Sequence, residues 1–407
     1  MRILQVNKFH YIRGGADKYY LDISKQLSEA GHKVANFSMN HPKNIASEYQ
    51  KYFVSRISFN EKQSFLQKIK LPGRVIYSLE AKKKFKKLVK DFEPEIIHIH
   101  NIYHHLSPSI LSVARKKKIP VVMHLHDYKL VCPNHTLFVG GKNCRECKPN
   151  RYLNCVKKRC LKDSFFASFL VAIEMYIHHT VLKIYKKNIS LYITPSNYMK
   201  KVCLDFAWDG SKIAVLYNPY SNELLESNNI NSSNSEKYIL YFGRLGKEKG
   251  IDTLINALPA TSYSLKVAGG GEEEAELKQK AKSIGANVEF LGHKSKSELS
   301  ALINNAKAIV MPSIWQENMP LSLLEAMSMS KVVIASNIGG YPEIIEHGVN
   351  GMLFEPGNFR DLASKINSLE KTNLEEMGRV AKQRVMVLSP ENNLKQLLSL
   401  YKKVLNY

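Results

Sequence analysis

Short apolar runs rich in Ile and Val recur at 2–7, 33–39, 96–101, 121–127, 191–196 and 213–218. Near-continuous apolar runs of this length suit strands of a parallel sheet covered on both faces. Amphipathic, lysine-rich stretches such as 16–30 and 79–91 lie between them and predict helices. The pattern then breaks: residues 228–235 read Asn-Asn-Ile-Asn-Ser-Ser-Asn-Ser, too polar to offset the entropy of ordering by burial. Beyond the break the alternation resumes. Runs at 238–242, 264–268, 287–291, 308–312, 332–336 and 352–354 predict strands, and 250–258, 272–284, 296–305, 321–328 and 361–369 predict helices. An apolar-periodic helix over 392–405 closes the chain. At 407 residues, one hydrophobic core of ordinary size is not expected. The alternation predicts an α/β protein of two Rossmann-like, doubly wound domains. The first spans 1–220, a linker 221–237, the second 238–390, and the terminal helix at 391–407 is expected to pack back on the first. Ligands of such sheets bind beyond the carboxyl ends of the strands, so both domains would turn their loops toward one cleft.

Charge changes this picture by separating the halves. The chain carries a net +23, and residues 1–217 hold 38 Lys and Arg against 15 Asp and Glu, while the remainder holds 21 of each. A one-sided positive field implies an anionic partner that touches only the first half, whether nucleic acid, an anionic membrane surface or a phosphate-bearing acceptor; solubility alone is the alternative. Residues 82–90 interleave lysines with Phe85, Leu88 and Val89, the pattern of an amphipathic helix docking on an anionic membrane and equally of a domain helix with a solvated face. The most apolar stretch, 165–185, is interrupted by Glu174, His178, His179 and Lys183, so it predicts a buried or surface-lying helix that does not cross a bilayer. The opening residues lack the basic, apolar and small-residue segments of a signal peptide. A cytoplasmic protein, peripheral at the inner face of the membrane, is the expectation.

Three clusters carry chemistry. Gly243-Arg244-Leu-Gly-Lys-Glu-Lys249 follows a predicted strand and opens a helix, where free N–H groups and the dipole favour anions. Arg244 and Lys249 there suit a diphosphate, whose departure leaves negative charge that fixed cations stabilise. Glu317 and Glu325, with seven residues between them, flank Asn318, Met319, Pro320 and Leu321. Pro320 suits the first turn of a helix, which puts Glu317 in the loop before it and Glu325 in its second turn. Carboxylates hold sugar hydroxyls through strong charge-assisted hydrogen bonds, and the backbone N–H groups of 318–321 would face phosphates. On the predicted strand at 121–127, His124 and His126 share a face; His126 stands at the carboxyl end, toward the cleft, and His124 reads as a satisfied core histidine. His10, Tyr11, Arg13, Tyr103, His104 and His105 follow strand ends in the first half and could line an acceptor site or be polar loop residues.

The ordered set Gly14-Gly15, His126, Gly-Arg-x4-Lys at 243–249 and Glu-x7-Glu at 317–325 resembles the family-4 retaining glycosyltransferases of the two-domain GT-B fold. The likeness continues in Gly339-Gly-Tyr-Pro-Glu343 and Gly348-Val-Asn-Gly351 and spans essentially the whole chain. It implies a hexosyl transfer from a nucleotide-diphosphate sugar to a saccharide or lipid-linked saccharide, in surface polysaccharide or lipopolysaccharide assembly. Arg244 and Lys249 would then bind the donor diphosphate, Glu317 the transferred sugar and Glu325 the ribose. His126 would stand near the reacting carbon, with Gly14 and Gly15 near the phosphates and acceptor. The resemblance implies no cofactor for catalysis. A sugar-nucleotide epimerase of the same fold needs acid/base residues that are not identifiable here. A nucleic-acid-binding module would leave Glu317 and Glu325 without use, so nucleic acid is not the expected partner.

The cysteines pose a separate question. Of six, Cys132, Cys144, Cys147, Cys155 and Cys160 crowd into one loop-rich insertion after His126. A Cys-x2-Cys pair with further cysteines among basic residues meets the tetrahedral thiolate requirement of zinc. Cys144, Cys147, Cys155 and Cys160 are the expected four, with Cys132 a substitute, for a structural metal shaping the acceptor-side loop; reduced cysteines with no ligand are the alternative.

Overall fold

The computed structural model of the chain describes residues 1–57, 65–221 and 237–406. Except for its two end residues, the linker expected at 221–237 lies outside them.

Two six-stranded parallel sheets form the frame. In the first, the strands run Lys33–Phe37, Arg2–Val6, Ile96–Ile99, Val121–His124, Leu191–Thr194 and Ile213–Val215 across the sheet. In the second the order is Val288–Gly292, Ser264–Ala268, Tyr238–Phe242, Ala308–Met311, Val333–Ser336 and Met352–Phe354. Each order reverses direction once, beside the first strand of its half. Such switch points leave a crevice at the carboxyl ends, where α/β sheets bind ligands. All twelve expected strands are present, most of them ending two or three residues early in the first half. The residues beyond those ends, from Asn7, His100 and Leu125 onward, are thereby released into loops at the crevice.

Ile3, Leu4, Val6, Ile96, Ile97, Ile99, Val121 and Val122 are fully buried, as strands covered on both faces require. The terminal helix Pro390–Leu405 belongs to the first half's core, not the second's. Leu397 and Tyr401 are completely buried with Ile3, Tyr19, Ile23 and Leu27. The Tyr401 hydroxyl also stands 2.7 Å from His98 Nδ1.

In the first half one open alternative is decided and one expectation changes. The lysine-rich helix Leu79–Phe92 turns Phe85, Leu88 and Val89 into the core, with Phe85 packed on Phe37 at 5.0 Å. Its lysines are a solvated face, and no apolar side is left for a membrane. The apolar stretch at 165–185 is not one helix. Phe165–Tyr176 is helical, a π-type turn follows at Ile177–Val181, and Lys183 adopts a left-handed backbone before the helix Ile184–Asn188. Buried Glu174 explains why a charge interrupts that stretch: Lys129 Nζ lies 2.8 Å and His104 Nε2 3.0 Å from its carboxylate. Among the described residues no helix is long and apolar enough to cross a membrane. Phe165–Tyr176 does keep an uncovered side, on which Phe165, Phe166, Phe169 and Tyr176 are exposed, Phe166 to 81%.

Candidate active site between the two sheets

The second sheet's switch point lies between Tyr238–Phe242 and Ala308–Met311, and the loops leaving these strands carry the expected donor residues. Arg244, Lys249, Glu317, Pro320 and Ser322 line one small cavity there, with Tyr241 and Tyr341. Glu317 is only 5% exposed, a location that demands a partner for a carboxylate. Lys249 Nζ supplies it at 2.5 Å, and Ser313 Oγ stands 3.4 Å from the same oxygen. Arg244 pairs instead with Glu248 and, at 3.5 Å, with Glu272. The two cations thus border one cavity, yet each is held by a carboxylate that an incoming phosphate would have to displace.

Two glycines shape this pocket. Gly250, at φ +65°, sits so close to the Pro312 carbonyl that a Cβ would fall 2.1 Å from its oxygen. Gly339, at φ +63°, presses on Glu317, where a Cβ would fall 2.3 Å from the carbonyl oxygen. Only glycine tolerates both the left-handed backbone and the contact. The Gly339-Gly340 turn therefore buttresses the Glu317 loop from behind, and Gly340 N donates to Glu317 O at 2.8 Å.

Pro320 stands one position ahead of the helix Leu321–Ser328, as its cap and not in its first turn. Glu325 falls in the second turn as expected, but it lines a different cavity from Glu317. With Leu321 it lines a larger cleft of about 490 Å³ against Lys18, Tyr19 and Asp22 of the helix Gly15–Glu29 and Asn393 of the terminal helix. Gly15 opens the helix facing Leu321: a Cβ on it would meet Leu321 Cδ1 at 3.4 Å. Gly14 is exposed beside it, so the glycine pair lies at the seam between the halves.

The first half presents His126 to this seam. Asn318 Nδ2 donates to the His126 carbonyl at 3.0 Å, joining the loops of the two sheets directly. The half-buried His126 ring stacks on two buried histidines, 4.6 Å from His124 and 5.2 Å from His100. Its Nε2 is 2.9 Å from His100 Nδ1, and His100 Nε2 is 3.0 Å from Gln5 Oε1. Since Gln5 Oε1 can only accept, His100 carries its proton on Nε2 and accepts at Nδ1 from His126. That leaves Nδ1 of His126 with a lone pair. Burial, followed by the charge of Lys8, lowers the His126 pKa to about 3, so the ring is neutral. His124 is not the satisfied core histidine expected, for neither ring nitrogen has a partner.

Among the described residues, the only three potential ligand atoms lying within 4.8 Å of one another belong to His98, His100 and His124. They make a poor metal cage. His100 uses both nitrogens on His126 and Gln5, and His98 Nδ1 meets Tyr401.

Several residues at this seam escaped the sequence reading. Lys8 is half-buried, desolvation lowers its pKa, and its ammonium lies 4.2 Å from the Tyr103 ring centroid. Burial raises the Asp127 pKa to about 6, against the pull of Lys8. Asp17 pairs with Asn7 at 2.8 Å. No motif marks these positions; only the meeting of the strand ends does. Conversely, His10 turns inward to the Tyr20 hydroxyl at 2.8 Å and His104 to Glu174, so neither lines an open acceptor site.

Residues 13–223 match the family model described as Glycosyltransferase Family 4, and residues 223–384 match the one described as Glycosyl transferases group 1. The chain belongs to glycosyltransferase family 4. A 42.6 kDa protein of the cps region of Klebsiella pneumoniae is 24% identical over 357 residues, covering 84% of this chain and 87% of that protein. A glycosyltransferase of Methanocaldococcus jannaschii is 34% identical over 184 residues, covering 41% of this chain and 47% of that protein, less than half its length. Among solved structures, Anabaena HepE in complex with UDP and glucose superposes with a TM-score of 0.66 at 20% identity, over 99% of this chain and 100% of that one. This likeness is one of fold: the family-4 chain has the GT-B architecture, two Rossmann-like sheets facing across a crevice.

Proposed function

We propose that this glycosyltransferase takes a sugar from a nucleotide-diphosphate donor held by its second half and transfers it, with retention at the anomeric carbon, to a saccharide or lipid-linked saccharide met by its first half. The observation that carries this reading is the single cavity bordered by Arg244, Lys249 and Glu317 at the second sheet's switch point. Two cations and a helix start favour a diphosphate, and they stabilise the charge left when the nucleotide departs. The backbone N–H groups of Asn318, Met319, Pro320's successor Leu321 and the glycines Gly14 and Gly15 would complete the phosphate cradle. Glu317 would hold the sugar and Glu325 the ribose. His126, neutral and with Nδ1 unprotonated, would accept a hydrogen bond from a sugar hydroxyl instead of donating one. The fold shared with a structure holding UDP and glucose, and the relative encoded in a cps region, favour a nucleotide donor and a polysaccharide setting.

The same reading includes contact with an anionic membrane. Exposed Phe165, Phe166, Phe169 and Tyr176 adjoin the exposed basic residues Lys157, Lys158, Arg159 and Lys162. Aromatic side chains beside lysines suit the boundary between headgroups and acyl chains.

A nucleotide and nucleotide-sugar panel tests the donor. A melting shift with one nucleoside diphosphate, and a product whose new linkage keeps the donor's anomeric configuration by NMR, are expected. Stabilisation by oligonucleotides and by no nucleotide diphosphate would overturn the reading.

A further inference from the structure

The cysteine insertion does more than decorate the first half. Cys132, Cys144, Cys147, Cys155 and Cys160 all line one small cavity, with Leu137, Phe138 and Val139. Cys132, Cys147 and Cys155 are buried, and Cys147 and Cys155 share a small core of their own with Tyr152, Val156, Val171, Ala172 and Met175. Regular structure is scant here: a two-plus-two-residue hairpin, Phe138–Val139 with Lys142–Asn143, and the short helix Leu153–Lys157. So small a core supports little on its own, and small domains of this kind rely on a cross-link or a metal.

The insertion reaches the loop that carries Glu317. Trp315 Nε1 donates to the Thr136 carbonyl, Asn143 Nδ2 to the Ile314 carbonyl at 3.0 Å and the Tyr128 hydroxyl to the Gln316 carbonyl at 2.7 Å. Arg145, between the two cysteines of the Cys144-Arg-Glu-Cys147 pair, donates to Gln316 Oε1 at 3.1 Å and pairs with Asp205. The backbone that would hold a metal therefore also grips the residues just before Glu317.

We infer that Cys144, Cys147, Cys155 and Cys160 bind one zinc ion as thiolates, and that this metal fixes the strap pressing Thr136, Asn143 and Arg145 onto the Ile314–Gln316 loop. Cys132 is left out because its Sγ donates to Asn134 Oδ1 at 2.8 Å. No three of these sulfurs lie within 4.8 Å of one another. Zinc would draw four of them to about 2.3 Å from itself, and each thiol would release its proton to solvent as it binds. Lys148, Lys157, Lys158 and Arg159 lie beside these cysteines in the sequence, and their charge would offset the net negative charge of a zinc tetrathiolate. The acceptor-side insertion then acts on the donor side: the metal is structural, and its effect is on Glu317. The role for Glu317 rests on the donor reading above; the metal site does not.

The test uses the full chain, purified under reducing conditions without chelator. Elemental analysis should find about one zinc per chain. Cobalt substitution should give the visible bands of a tetrahedral thiolate site. Cys132→Ser should keep the metal, and Cys144→Ser, at a half-exposed position, should lose it. Trp315 supplies an internal reporter. In a Trp208→Phe background its emission should shift to the red on zinc removal, as Thr136 releases the indole, and return when zinc alone is added back. Protein that contains no zinc and takes none up from a zinc titration overturns the inference, as do disulfides among these cysteines by mass spectrometry. Zinc present with unchanged Trp315 emission on its removal overturns the strap. Neither result depends on which nucleotide binds.

Discussion

The two halves share a six-stranded parallel sheet and a single switch point, but twelve of the fourteen histidines and the whole positive excess lie in the first. The second half holds only His293 and His347, balances its charges, and concentrates its ionic chemistry on Arg244, Lys249 and Glu317 at one crevice. One scaffold thus meets burial in two ways. The second sheet's core is almost wholly aliphatic and aromatic, including Leu240, Leu265, Val310 and Ile334. The first sheet buries His98, His100 and His124 at its centre and must keep them neutral.

That difference yields the largest expected effect, an acid lability confined to the first half. Burial lowers the pKa of His98, His126, His135 and His179 to about 3 each. The unfolded chain would bind protons near the ordinary 6.5 while the folded one does not, so stability falls as pH drops from about 6.5 toward 3. By about pH 5 each ring costs up to roughly 2 kcal/mol. Asp127 works the other way. With a pKa raised to about 6, it keeps its proton in the folded state between its ordinary 3.8 and 6, and it gains stability as pH falls. One carboxyl does not offset four imidazoles. Hydrogen exchange at about pH 5 and 7.5 should show the strands at Ile96–Ile99 and Val121–His124 losing protection while Ala308–Met311 and Val333–Ser336 keep theirs. Equal loss in both halves would break the comparison.

Next in size is the donor crevice. Lys249→Ala should lower the transfer rate by about 10²–10³-fold, the usual cost of removing one preorganised charge aimed at a leaving group. The same change leaves Glu317 buried without its cation, so Lys249→Ala/Glu317→Gln should melt higher than Lys249→Ala alone. Unchanged turnover in Lys249→Ala, with the fold intact, removes the second half's claim to the donor.

Much of this was legible beforehand, and the gaps have physical causes. Strand periodicity located both sheets because buried parallel strands are continuous apolar runs. It missed the strand ends at His100 and Leu125, because apolar loop residues packed in the crevice read like strand. The Lys82–Lys90 pattern leaves a membrane face and a solvated domain face equally open, because an amphipathic helix has the same periodicity whether its apolar side meets lipid or a sheet. Phe85 against Phe37 decided for the sheet. The Glu-x7-Glu spacing located the loop and helix but not that Glu325 would face the cleft of the Gly15–Glu29 helix. Lys8, Asp17 and Asp127 come together only through strand order, which no local motif encodes.

The membrane contact sharpens the charge side of the comparison. Sedimentation with anionic phospholipid vesicles at low salt should be lost in a Phe165→Ser/Phe166→Ser/Phe169→Ser variant, since each phenyl group buried contributes about 1.5–3 kcal/mol at most. Raising salt should release the parent protein, because each basic residue near the surface contributes about 1 kcal/mol and is screened over roughly 8–10 Å. If neutralising Lys82, Lys83, Lys86 and Lys87 abolishes attachment while the phenylalanine variant still binds, the charge acts without the aromatic patch.

The smallest expected effect bears on the point where the halves are tied. Asn318 Nδ2 donates to the His126 carbonyl at 3.0 Å, while its Oδ1 is buried without a partner. Asn318→Ala removes one neutral hydrogen bond, worth about 0.5–1.5 kcal/mol, but also removes the stranded oxygen, so melting should drop little. Asn318→Asp separates the two contributions. It puts a carboxylate oxygen against the His126 carbonyl, and two acceptors facing each other in a buried seam should cost more than the alanine does. Lowering the pH should relieve part of that cost, since the introduced carboxyl group can donate again once it is protonated. The order parent, alanine, aspartate in melting temperature near neutral pH, with the aspartate variant recovering toward the alanine one as pH falls to about 5, is the expected outcome. If both variants melt like the parent, the seam at His126 is not a point where the halves hold each other.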